Sequence, residues 1–388
     1  MTLPDGLQAA VAARYARYVG DLASLVGIDC GSYTPAGVNR VATAVSGSLQ
    51  EIGAAVERIR HLPTGGERQL GDLVIGRLDG SGPRLLLIGH MDTVFEPGTA
   101  AERPFKVDGD RATGPGVSDM KGGLLAGLHA LAALRSLDRR PSVTFVANPD
   151  EEIGSPFSTA HIQGLIAEHD AALVLECARA NGDIVSARKG IADYEVTIKG
   201  RAAHAGVEPE KGRSAILEAA HKVLALHALN GRWPSATINA GVIEGGTRPN
   251  VVAANCRMEV DLRAASASEF EMAAAEMESM VTRPTIEGIS VTFRQAAFHP
   301  PMERTPGNAR LAELTIAIAA ELGFELHDAL TGGASDANTT SAAGLPTLDG
   351  LGPVGGDDHS PDEWLDLSSV VPRTTLLAAL IDRVAEAI

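Results

Sequence analysis

Residues 85–93 read Leu85-Leu86-Leu87-Ile88-Gly89-His90-Met91-Asp92-Thr93. Four consecutive apolar residues suit a strand buried on both faces, as strands inside parallel sheets are. The run stops at a His and an Asp two residues apart. In an open parallel sheet, ligands bind beyond the carboxyl ends of the strands. A polar pair after one strand is weak evidence, because most such pairs are only loop. Two further apolar runs behave alike, however. Val143–Ala147 leads into Asn148-Pro149-Asp150-Glu151-Glu152, and Leu173–Leu175 leads into Glu176.

Working outward, Met120–Leu134 and Ser158–Glu168 read as helices between these strands. Alternating helix and buried strand predicts an α/β fold with a mainly parallel sheet flanked by helices. Near the N-terminus, Leu7, Val11, Tyr15, Val19, Leu22, Leu25 and Val26 recur at helical spacing. They predict one amphipathic helix over Met1–Val26. The pattern changes near Gly190. Tyr194–Ile198 alternates like a half-exposed strand, followed by a helix (Ser214–Leu229) and strands at Ala236–Ile243 and Val251–Leu262. A helix at Ser268–Val281 and a strand at Ser290–Gln295 complete a β-α-β-β-α-β order, the split-βαβ pattern of a small ferredoxin-like domain. Helix–strand alternation resumes near Thr305. The division expected is a first domain in two parts, 1–188 and 302–388, interrupted by an insert over 189–301.

The bulk numbers agree. A length of 388 residues exceeds what one core usually serves. Net charge is 33 − 49 = −16, which repels phosphate backbones and argues against a nucleic-acid partner. Cys30, Cys177 and Cys256 are odd in number and far apart, so no disulfide framework is indicated. No stretch is long enough to span a membrane, and the N-terminus has no secretory pattern. A cytoplasmic location is expected.

Further polar signals follow. Gly114-Pro115-Gly116-Val117-Ser118-Asp119-Met120-Lys121-Gly122-Gly123 precedes a helix, where a lone Asp119 is most simply an N-cap. The acids at 150–152 are either a solvated loop or carboxylates with separate duties, one a base and one a ligand. Late in the chain comes Gly355-Gly356-Asp357-Asp358-His359-Ser360. Together these put His90, Asp119, Glu152, Glu176 and His359 at strand or helix ends. Two imidazoles and three carboxylates suit a pair of borderline metal ions, with one carboxylate bridging.

In order and spacing, His90-Met91-Asp92, the Asp119 loop, Asp150-Glu151-Glu152, Glu176 and Asp358-His359-Ser360 resemble the M20 family of metallopeptidases, in its carboxypeptidase G-like branch. The resemblance spans the chain, the insert included. It implies a zinc-peptidase-like fold with a dimerisation (lid) domain, and two divalent metal ions per chain, zinc with cobalt or manganese as alternatives. It makes Asp119 the bridging ligand, His90 and Glu176 the rest of one site, and Glu152 with His359 the rest of the other. Asp92 would hold His90. Glu151 would be the general base, taking a proton from the attacking water and passing it to the leaving amine. The peptide bond after Asp119 is expected to be cis. His204, in Gly200–Gly206, would stabilise the oxyanion of a partner subunit in a homodimer; without the resemblance it reads as a surface loop residue. Asn250 and Arg263 resemble binders of the substrate carboxylate, the plainer role for Arg263 being an ion pair with Asp261. Gly333 and Ser335 belong to a loop, Gly332–Asp336, that would close that pocket with backbone N–H groups.

The implied reaction is cleavage of the amide bond of an N-acyl amino acid or short peptide at a residue with a free carboxylate. A deacylase of acetyl or succinyl amino acids, a dipeptidase, and an inactive binding protein on this fold stand as alternatives. His299 occupies the region where relatives carry an arginine, with Arg304 nearby, which leaves the released residue open. His129, His161, His169, His221 and His227 have no metal-like neighbours and are expected on the surface.

Overall fold

A computed structural model describes residues 3–388. The chain divides into two compact units. One takes in the chain up to Ser186 together with Arg304–Leu330 and Ser335–Ile388. The other is Ala187–Glu303 with Thr331–Ala334.

The first unit is built on a six-stranded sheet of β1 (Ala55–Ile59), β2 (Leu73–Leu78), β3 (Ser81–His90), β4 (Pro141–Asn148), β5 (Ala171–Val174) and, much later, β10 (Thr347–Leu348). Their spatial order is β1-β2-β4-β3-β5-β10. From β4 to β10 the neighbours run parallel, while β1 and β2 form an antiparallel edge. Leu85–Ile88 of β3 are fully buried. That follows from helices on both faces: a strand covered on both sides needs no polar residue.

Helix α1 is Leu7–Ala12, α2 Tyr15–Val26, α3 Pro35–Glu51, α4 Gly123–Ser136 and α5 Ser158–Ile166. Helix α4 is apolar on every face, and Gly123–Leu134 are all buried. A helix with no polar stripe belongs in a core. The single helix expected over Met1–Val26 is two helices, its first two residues lying outside the described ones. The turn at Ala13–Arg14 resets the buried face, from Leu7 and Val11 to Tyr18, Leu22, Leu25 and Val26. Helix α4 also starts later than Met120, because Asp119 and Met120 have non-helical backbone angles.

The second unit has the order β6 (Gly190–Lys199), α6 (Ala215–His227), β7 (Thr237–Gly245), β8 (Asn255–Ala264), α7 (Ala267–Val281) and β9 (Ser290–His299). Its sheet runs β7-β8-β6-β9 with every pair antiparallel. Val196, Ile198, Met258, Val260 and Leu262 pack with Ala219 and Met277 from the helices. The alternate residues stay at least partly exposed, giving the period-2 burial of β6 and β8. Ser214 and Ser266 cap α6 and α7, accepting from the amides of Leu217 and Glu269. The remaining helices, α8 (Pro306–Glu321), α9 (Asp336–Ala342) and α10 (Val370–Arg383), belong to the first unit.

Candidate metal centre

The carboxyl ends of β4, β3 and β5 lie side by side, and each delivers polar residues to one place. β3 ends at His90, β4 is followed by Glu151 and Glu152, and β5 by Glu176. The loop Gly114–Gly122 brings Asp119, and a turn with Asp357 and His359 at positive φ brings His359.

Asp119 is the centre of the arrangement. Its Oδ1 is 3.0 Å from His90 Nε2, and its Oδ2 is 3.1 Å from His359 Nε2. Glu176 Oε1 is 3.8 Å from the same His90 nitrogen, and Glu152 Oε2 is 3.1 Å from the same His359 nitrogen. Ligand atoms of His90, Asp119 and Glu152 fall within 4.8 Å of one another, as do those of His90, Glu151 and Glu176. Glu152 Oε1 is buried without a hydrogen-bond donor. A buried carboxylate oxygen without a partner is costly, and a divalent cation is the partner that this set of imidazoles and carboxylates fits.

The supports are local. Asp92 Oδ1 and Oδ2 accept from the amides of Glu151 and Glu152, both at 3.2 Å, and Ser32 Oγ donates to Oδ2 at 2.6 Å. Asp92 thus fixes the acidic loop directly. His90 Nδ1 lies 3.0 Å from the Asp92 backbone carbonyl and 3.4 Å from its carboxylate. The Asp119–Met120 peptide bond is cis.

Charge shapes every group. Burial disfavours the His90 imidazolium, but Glu176, Asp119 and Asp92 hold its pKa well above the usual value. The hydrogen bonds to Asp119 and Glu152 push His359 up to about 11. Burial favours a protonated Asp119, yet the bonds from His359 and His90 hold it below the carboxylate range. Glu151 goes the other way. Burial, with Glu176, Asp336 and Glu152 nearby, pushes it well above the ordinary value against the pull of His90. A carboxyl with a raised pKa beside a cluster of charge is suited to carrying a proton.

Some partners left little trace in the sequence. Glu363 is 1% exposed and accepts from the amides of Gly116 and Ser118 at 2.8 Å and of Asp119 at 3.0 Å. It shapes the loop that presents Asp119. Asp336 accepts from Ser155 Oγ at 2.7 Å and bonds Asn148, behind the acidic loop. Asp150 is fully buried and accepts from the amide of Phe157 at 2.6 Å, so the first of the three acids builds the loop.

Of the other expected site residues, His204, Asn250, Arg263 and Gly333 belong to the second unit and Ser335 to the first. His204 and Asn250 are exposed on the second unit, joined where the Ala205 amide donates to the Asn250 carbonyl at 3.0 Å. In the same unit, Arg263 pairs with Asp261 at 3.0 Å and donates to the Gly332 carbonyl at 2.9 Å, while the Gly333 carbonyl accepts from Arg188. Ser335 is buried in the first unit; its hydroxyl donates to Asp349 at 2.6 Å and caps α9. His299 is half-buried, and burial lowers its pKa despite Asp193. His129 is not the surface residue expected. It is 4% exposed within α4, with Nε2 3.3 Å from Asp21, because that helix is enclosed on all sides. His161 and His169 are half-buried, His169 Nε2 lying 2.8 Å from Thr144 Oγ1; His221 and His227 are exposed.

The fold and this cluster are the setting of a metal-dependent hydrolase. The chain belongs to the peptidase family M20/M25/M40, whose pattern matches residues 86–383. It is 31% identical over 93% of its length to carboxypeptidase G2 of Pseudomonas sp. (strain RS-16), covering 87% of that protein. It is 28% identical over 88% of its length to acetylornithine deacetylase of Edwardsiella ictaluri, covering 90% of it. Among solved structures, a tripeptidase from Staphylococcus aureus superposes with a TM-score of 0.79 over 96% of this chain and 99% of that one, at 21% identity. The protein is a hydrolase acting on amide bonds, of a family that uses divalent metal.

Proposed function

We propose that this protein removes a C-terminal residue with a free carboxylate from an N-acyl amino acid or short peptide. Two divalent cations, zinc before cobalt or manganese, would be held by His90, Asp119, Glu152, Glu176 and His359. The observation that carries the reading is Asp119, whose two oxygens face two separate groups: His90 near Glu176, and His359 with Glu152. Bound there, such ions polarise an amide carbonyl and make water acidic enough to attack near neutral pH.

The chain's own residues supply the rest. Glu151, its pKa raised by burial, takes the proton from the attacking water and hands it to the leaving amine. Asp92 holds Glu151 and Glu152 in place through their amides. His204 donates to the oxyanion of the tetrahedral intermediate, acting across a homodimer formed through the second unit. Arg263 and Asn250 hold the substrate carboxylate. Gly333 contributes through backbone N–H, and Ser335 positions its loop, since its hydroxyl is already bonded to Asp349. The location proposed is cytoplasmic; no helix among the described residues is long and apolar enough to cross a membrane.

A second reading, removal of a small acyl group from an amino acid, is favoured by the likeness to acetylornithine deacetylase. A panel pairing acetyl, succinyl and aminoacyl donors with glutamate, aspartate, alanine and ornithine separates the two. The first reading predicts that the rate follows the released residue across donors. A rate set by the acyl group, with acetyl or succinyl preferred whatever the amino acid, favours the second. No turnover of any member by metal-loaded protein would sink both.

A further inference from the structure

Arg14 lies at the turn between α1 and α2, Arg17 one helical turn later, Arg135 in the last turn of α4, and Arg140 just beyond it. All four line one open cavity of about 500 Å³. Among the described residues, Glu51 is the only acid on its wall, in a protein whose net charge is −16. Three of the cations have evident structural work. Arg17 pairs with Glu51 at 2.6 Å and Asp21 at 3.5 Å. Arg135 donates to the Ile52 carbonyl at the end of α3 at 2.9 Å, and Arg140 lies 3.6 Å from Asp138. Arg14 has none: among the described residues no ion pair or hydrogen bond engages its guanidinium, and its Nε is buried without a partner. Burial and the neighbouring Arg17 charge hold its pKa below the usual value against the pull of Glu51 and Asp21.

We infer that this arginine cavity is an anion-binding site for a phosphate group, with Arg14 as its anchoring donor. Mutual repulsion among the cations that line the cavity is costly. An anion relieves it by bonding the accessible guanidinium N–H groups. A planar carboxylate is met by one guanidinium fork, whereas a tetrahedral phosphate offers acceptors in several directions. Arginines of the α1–α2 turn, of α2, of α4 and of the segment after α4 line the cavity, an arrangement that suits the phosphate. The site is separate from the metal centre: Asp119 precedes α4 and Arg135 ends it, about 20 Å apart along the axis at 1.5 Å per residue. It does not rest on the proposed reaction.

The test is thermal unfolding of the metal-loaded protein in inorganic phosphate, against chloride at equal ionic strength, for wild type, Arg14→Gln and Arg140→Gln. Any phosphate that binds at the metals stabilises all three alike. The expected result is a saturable rise in Tm for wild type that is clearly reduced in Arg14→Gln and Arg140→Gln, whose Tm values in chloride stay near wild type. Titration calorimetry should show one phosphate-binding event fewer in Arg14→Gln. If Arg14→Gln fails to fold, Arg140→Gln alone decides. Equal phosphate increments in wild type and the variants, or no increment over chloride, overturn the inference.

Discussion

Glu151 and Glu152 are adjacent and chemically alike, and their surroundings separate them. Burial pushes both toward the protonated form; the hydrogen bond with His359 opposes it at Glu152, while Glu151 is pushed well above its ordinary value. Replacing Glu151 by Gln should lower kcat about 10²–10⁴-fold while metal content stays at the wild-type level. Steady-state kinetics beside elemental analysis would show this, and lost metal would mean that Glu151 is a ligand instead. His129 gives a second prediction, on stability. Burial holds its pKa at about 4, below the value of about 6.5 in an unfolded chain. The unfolded state therefore binds the proton more readily. The contribution of the neutral, buried His129 is complete above about pH 6.5 and is lost as pH falls toward 4. Urea midpoints of His129→Gln should fall less steeply than wild type over that window. The His129 environment was misjudged as surface, although a helix with apolar residues on every face has no surface to put it on. Glu363 was not: in Ser360-Pro361-Asp362-Glu363 it reads as one more acid in a solvated turn, and only tertiary structure sets it under three amides.

Among elements, the loop Gly114–Gly122 and the start of α4 carry the burden of placing Asp119. Glu363→Ala would leave the amides of Gly116, Ser118 and Asp119 unpaired. At about 1–3 kcal/mol for each unsatisfied buried group, stability should drop by several kcal/mol in urea unfolding, and activity should drop with it. A variant of unchanged midpoint would mean that water replaces the carboxylate. Gly123 is the tight point of the same region. A Cβ there would stand 1.8 Å from the Leu175 carbonyl, the residue just before Glu176. Gly123→Ala should force α4 off β5, lowering both Tm and kcat. The strands that flank this loop were readable from apolar runs alone, because burial on both faces leaves no polar position. The break between α1 and α2 was not, because the apolar spacing of four runs on through it. Only the buried sets, Leu7 and Val11 against Tyr18, Leu22 and Leu25, reveal the turn.

For the whole molecule, the sequence order β-α-β-β-α-β anticipated the second unit's sheet, since alternating burial and two capped helices leave few other folds. The attachment of Thr331–Ala334 to that unit falls outside the expected bounds of 189–301, although the resemblance already set the Gly332–Asp336 loop beside Arg263. It depends on contacts such as those of Arg188 and Arg263 with Gly333 and Gly332, more than sixty residues away. Stability of the first unit should depend on bound metal, because ligands held only by the folded state stabilise it by mass action. Chelation should lower Tm, and added zinc should restore it. The most direct test of the account is metal content per chain by elemental analysis, for wild type and Asp119→Ala prepared side by side. About two divalent ions are expected in wild type, and loss of both in the variant, since one carboxylate serves both sites. Fully active wild type without stoichiometric metal, or Asp119→Ala retaining both ions, would contradict it.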